Sequence, residues 1–130
     1  MTSNEKPLSL GVVGSRDFPN LPLVSEYLDK IQSRQKVSKI VSGGARGVDH
    51  EAALWAKKNQ ILLVEHIPEW DKYHKRMVAY VRNKLIVEQS DVIVAFYDGK
   101  SKGTMMSIQL AKEMKKKLLV FDQDGRVMEI

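Results

Sequence analysis

Three short stretches of the 130-residue sequence concentrate the residue types that bind anions. They are Gly14-Ser15-Arg16-Asp17, Ser42-Gly43-Gly44-Ala45-Arg46-Gly47-Val48-Asp49 and Asp98-Gly99-Lys100-Ser101-Lys102-Gly103-Thr104, and they hold six of the eight glycines. Each follows a run of branched apolar residues and precedes an amphipathic stretch, so each reads as a strand-to-helix turn. Glycine lets a ligand approach the peptide plane, and the next helix presents free N–H groups and its positive dipole end. Ser15, Ser42, Ser101 and Thr104 add hydroxyls, and Arg16, Arg46 and Arg82 can form charge-assisted bonds to phosphate. Helix caps and tight turns also favour Gly, Ser, Thr and Asp, which is the plain alternative at any one turn. Three such turns on the carboxyl edge of one sheet favour a ligand, because open α/β sheets bind there.

The elements that must hold these turns are legible as alternation. Short apolar runs at Leu8–Val13, Lys39–Val41, Ile61–Glu65, Asp91–Phe96 and Leu118–Phe121 predict buried parallel strands. Between them, helices are expected over Leu21–Ser33, Val48–Asn59, Tyr73 to about Gln89, and from near Thr104. Asn20 is the expected N-cap of the first helix, with Pro22 in its first turn and Val24, Leu28 and Ile31 on one face. The inward sets expected of the other helices are Val48, Ala52 and Trp55; Met77, Val81 and Leu85; and Met105, Ile108 and Ala111. Right-handed βαβ crossovers then give a Rossmann-like, doubly wound, mostly parallel five-stranded sheet with about four helices. Asp124-Gly125 predicts a C-terminal edge hairpin. Residues 1–7 are expected to be a flexible arm and residues 8–130 a single domain.

Composition narrows the function classes. With 43% hydrophobic residues the chain can build a core, and with no cysteine it has no disulfide, zinc-thiolate site or thiol nucleophile. There is no apolar run of membrane-spanning length, and the start MTSNEKP lacks a signal peptide's apolar stretch, so a cytoplasmic protein is expected. The formal net charge of +5 suits an acidic partner. Much of it lies at Lys112, Lys115, Lys116 and Lys117 and between Lys72 and Lys84, positions that read mainly as solvated helix faces. Aromatic residues are scattered, and no stacking platform for single strands is visible.

Several motifs fail on inspection. Gly99-Lys100-Ser101 resembles the end of a P-loop, but the required first glycine would fall at Val94. His50-Glu51 opens like a zinc-protease helix, yet Leu54 stands where the second histidine belongs, and His66 and His74 have no evident ligand partners, so no metal is expected. Gly99-Lys100-Ser101-Lys102-Gly103 fits the nucleophile-elbow pattern, but no histidine follows His74 to act as base.

Taken together, GSRDF after the first strand, SGGARGVD after the second, VRN in the third helix and FYDGKSKGT after the fourth resemble the SLOG superfamily. The likeness is greatest to its small single-domain YspA-type (YpsA-related) branch. It spans roughly Leu8 to Asp122, with the motifs in order. The superfamily also includes the Lonely Guy phosphoribohydrolases and the DNA-processing protein A, and the resemblance implies a nucleotide or nucleotide-derived ligand. It further implies ligand contacts from Gly43, Gly44, Gly47 and Asp49, from Arg82 with Asn83, and from the Gly103-Thr104 pair. The phosphoribohydrolase pattern departs at one decisive place. Its catalytic glutamate is replaced by Ser107, and the neighbouring position holds Met106.

A carboxylate is the usual means of stabilising the cationic sugar when an N-glycosidic bond breaks, and losing such a group costs about 10²–10⁴-fold in rate. Asp49 and Asp98 are the candidate catalytic substitutes. Each has a structural alternative, as an N-terminal helix charge and a turn residue respectively, and for Arg82 the alternative is a surface ion pair. The leading expectation is therefore binding or sensing of a nucleotide-type phosphate, with no cofactor required. An N-glycosidic hydrolase and a nucleic-acid-binding domain are the alternatives, and a homodimer is what the resemblance implies.

Overall fold

Short runs of branched apolar residues and the amphipathic stretches between them fold as an alternating β/α chain in the computed structural model, which describes residues 6–71 and 74–129. The elements are β1 (Leu8–Gly14), α1 (Pro22–Arg34), β2 (Val37–Ser42), α2 (Val48–Lys58), β3 (Leu62–Glu65), α3 (Lys75–Glu88), β4 (Val92–Phe96), α4 (Lys102–Glu113) and β5 (Lys117–Phe121). All five strands are parallel, in the order β3-β2-β1-β4-β5. This is the doubly wound sheet that the alternation predicts. The order reverses between β1 and β4, where parallel α/β sheets open a crevice at their carboxyl ends.

Strand periodicity divides the core in two. Val92, Val94 and Phe96 of β4 join Leu10 and Val12 under α1 and α2. Ile93 and Ala95 face the other way, with Val13 and Val41, onto Ile86 and Val87 of α3 and Ile108 and Ala111 of α4. Each Val, Leu, Ile or Phe among them contributes roughly 1.5–3 kcal/mol on full burial, against about 0–1 kcal/mol for an exposed ion pair like Glu26–Lys30 at 3.6 Å. The sheet, not surface charge, holds the carboxyl-edge turns in place. Among the described residues no helix is long and apolar enough to cross a membrane.

Three local expectations change. The N-cap of α1 is Leu21, without a side-chain cap. The Asn20 amide instead donates to the carbonyl of Gln123, 2.9 Å away, because the C-terminal tail returns to this point. Second, Met77 and Leu85 of α3 are 48% and 37% exposed, whereas Val78, Asn83, Ile86 and Val87 are buried. The inward face of this helix is rotated from the expected Met77–Val81–Leu85 row because it presents Arg82 and Asn83 to the crevice. Third, the C-terminal hairpin is a turn closed by Asp122 N–H donating to the Arg126 carbonyl at 2.9 Å, with a single antiparallel bridge between Phe121 and Val127. The turn is fastened to α1 by the Tyr27 hydroxyl, which donates to the Gly125 carbonyl at 2.7 Å. Lys72, Tyr73 and residues 1–5 of the expected arm lie outside the described residues.

Candidate functional site

The strands β1, β2 and β4 end together, and their turns surround a cleft of about 890 Å³, within the range of small-molecule sites. The β1 and β4 turns are stitched across the point where the strand order reverses. Ser15, almost wholly buried, donates its N–H to the Phe96 carbonyl at 3.2 Å, and its Oγ accepts the Asp98 N–H at 3.4 Å. Asp98 then shapes its own turn, since its Oδ1 accepts the N–H groups of Lys100 at 2.8 Å and Ser101 at 2.9 Å. Slight burial pushes the Asp98 carboxyl up, but those two N–H groups and the Ser15 hydroxyl outweigh it and hold its pKa below the ordinary 3.8. Ser101 is the N-cap of α4, and its Oγ accepts the Thr104 N–H at 3.2 Å while pairing with Thr104 Oγ1 at 2.9 Å. Apart from its chain neighbours and the backbone of α4 itself, nothing lies within 4 Å of where a side chain on Gly103 would begin, and Gly103 lines the cleft.

The β2 turn is built differently. Arg82 reaches from α3, and its Nη1 donates to the Gly43 carbonyl at 3.1 Å, against a glycine with no room for a Cβ. Gly47 has φ +76°, and a Cβ there would strike the backbone of Arg16, so the β1 and β2 turns touch main chain to main chain. Asp49, at the start of α2, accepts the Ala45 N–H at 3.1 Å. Burial raises its pKa above 3.8, opposed by that N–H and by the Arg82 charge. Burial lowers the Arg82 pKa, opposed by Asp49 and reinforced by Arg16. Ser42 Oγ, fully buried, has no partner at hydrogen-bonding geometry among the described residues, although it lies close enough to Asp49 to favour the carboxylate. Arg82 Nε donates to Asn83 Oδ1 at 2.7 Å, and the Asn83 amide meets Met106 Sδ of α4 at 3.3 Å.

The fold brings most of the sequence candidates to one cleft. Gly14, Ser15, Arg16, Gly43, Asp49, Arg82, Asn83, Asp98, Ser101, Gly103 and Thr104 all line it. Ser42, Gly44, Arg46 and Gly47 do not. Ser42 sits beneath the wall, Gly44 faces Ile67, and exposed Arg46 pairs with Asp17 at 3.1 Å. Two further lining residues, Pro68 and Trp70, come from the segment after β3, which sequence reading left without a role. Their signal was position alone, at the carboxyl end of a strand. Ser107, where a phosphoribohydrolase has its glutamate, is buried and lines the same cleft. No group of three or more His, Asp or Glu suited to a metal ion occurs among the described residues.

Residues 11–73, from β1 through the segment after β3, match the model of the YspA, cpYpsA-related SLOG family. No curated protein matches the chain. Among solved structures it is similar to the DNA processing protein A of Helicobacter pylori, in a structure concerned with single-stranded DNA binding. The identity is 26% and the TM-score 0.58, over 88% of this chain. The match spans 65% of that protein's chain.

Proposed function

We propose that the cleft of this chain, which is similar over residues 11–73 to the YspA, cpYpsA-related SLOG family, binds a phosphate-bearing, nucleotide-type ligand. The observation that carries this reading is the first turn of α4. Its cap is already satisfied by Ser101, and Gly103 leaves the helix N-terminus open to the cleft, with Arg82 and Arg16 on the other walls. A phosphate there meets free N–H groups, the helix dipole and the Thr104 hydroxyl together.

Binding is favoured over N-glycosidic hydrolysis because both candidate carboxylates are engaged. Asp98 accepts two N–H groups of its own turn, and Asp49 holds Ala45 beside Arg82. Each carboxylate, although it lines the cleft, has a structural task in its own turn. Thermal unfolding with nucleoside mono- and diphosphates and ADP-ribose tests the proposal. At ten times Kd, a ligand adds about 1.4 kcal/mol, a rise of roughly 4 °C in Tm for a chain of this size. Absence of stabilisation by every phosphorylated nucleoside at millimolar concentration sinks it.

A second reading, single-stranded DNA as the partner, is favoured by the similarity to DNA processing protein A and by exposed Lys100 and Lys102 at the β4 turn. It requires affinity that falls steeply with salt. Equal retention of an oligonucleotide at low and high salt, or none at low salt, dismisses it.

A further inference from the structure

The two tryptophans of the chain live in opposite conditions. Trp55 is buried between α1 and α2, and its indole N–H donates to Asp29 Oδ1 at 2.8 Å. Trp70 is 58% exposed, lines the cleft, and has neither a ring contact nor a hydrogen-bond partner among the described residues. A tryptophan usually buries its large apolar faces and satisfies its N–H. Here both are left available at the rim of a site whose other end is polar. Pro68 lines the cleft two residues away and stiffens the chain that carries the indole. The cleft thus has a hydroxyl- and N–H-rich end at Ser101, Gly103 and Thr104 and a flat apolar element at Trp70. Its volume, about 890 Å³, is suited to a drug-sized molecule rather than to a phosphate ion.

We propose that Trp70 is the stacking wall of this cleft, so that the ligand class is a nucleobase-bearing phosphate and not a bare sugar phosphate. The assignment rests on the phosphate reading above and adds the element that selects among phosphates. Every base has a π-face, so an indole confers a requirement for a base with little preference between bases. The second wall of such a stack needs no further aromatic ring, since one face of the base can remain open to solvent.

The experiment compares wild type, Trp70→Ala and Trp70→Phe for binding of adenosine 5′-monophosphate and ribose 5-phosphate, by calorimetry and intrinsic fluorescence. Trp55, shielded in the core, supplies a constant background. Adenosine 5′-monophosphate should quench the Trp70 emission of the wild type and ribose 5-phosphate should not. Trp70→Ala should weaken adenosine 5′-monophosphate about tenfold or more, Trp70→Phe by only about threefold, and neither should change ribose 5-phosphate binding. Because Trp70 is exposed, both variants keep the fold, and their thermal unfolding verifies it. If the two ligands bind alike and Trp70→Ala alters neither, the stacking assignment is overturned while the phosphate cleft stands. If the wild type binds neither ligand, the phosphate reading falls first and the stacking assignment with it.

Discussion

The turns after β2 and β4 use the same residue types to opposite ends. In the β2 turn the space beside glycine is taken by the protein itself: Arg82 stands over Gly43, and the backbone of Arg16 stands against Gly47. In the β4 turn nothing lies within 4 Å of a Cβ at Gly99 or Gly103. One turn is a joint where three parts of the chain meet. The other leaves the space beside its glycines open. Glycine-rich composition alone does not separate the two cases, because a close approach by main chain and a close approach by ligand demand the same missing Cβ.

The largest expected effect is at the joint. Gly47→Ala combines a backbone conformation that L-residues rarely adopt with a collision against main chain, and should destabilise by about 3 kcal/mol, a fall of roughly 10 °C in Tm. A wild-type melting curve for this variant would mean that the two turns are not in fixed contact. Gly103→Ala should do the reverse. It lies in the first turn of α4 with open space around it, so alanine should leave stability unchanged or raise it by about 0.5 kcal/mol. The same methyl should weaken phosphate-ligand binding about tenfold, and unchanged affinity in a titration would remove Gly103 from the site.

The smallest effect, a contrast in acid titration, again sets one turn against the other. The folded pKa of Asp98 is lowered, so its stabilising contribution is complete above 3.8 and is lost as pH falls through the lower folded value. Asp49 is raised, so its protonation favours the folded state as pH falls through its folded pKa toward 3.8. Asp98→Asn should flatten the acid limb of a stability–pH curve measured by urea unfolding, and Asp49→Asn should steepen it. Identical limbs for the two variants would erase the distinction.

How much of this was legible in the sequence depends on whether a residue's task is set by its neighbours in the chain or by distant ones. The strands were legible because a run such as Val92–Phe96 is buried on both faces and must be apolar throughout. The inward row of α3 was not, because apolar periodicity assumes that a helix hides only hydrophobic residues. This helix turns Arg82 and Asn83 inward and leaves Met77 and Leu85 half outside. Asn20 follows the same rule: its cap role is local, but a carbonyl 103 residues away claims its amide. The turn residues of the cleft, such as Ser15, Gly43 and Ser101, were legible since turn chemistry is local. Trp70 was not, for no periodicity marks a side chain in an irregular segment.

The hydrogen bond between Ser15 and Asp98 joins residues 83 apart in the chain. The cleft therefore has no local precursor during folding. A chain that has assembled only β1 to β3 has the contact of Gly47 with the Arg16 backbone, but it lacks Arg82 and every donor of the β4 turn. Inserting β4 beside β1 closes the longest loop in the sheet, a slow kind of contact to form. Any molecule that engages both turns is blind to a chain without the β1–β4 pairing, and so acts as a latch on it.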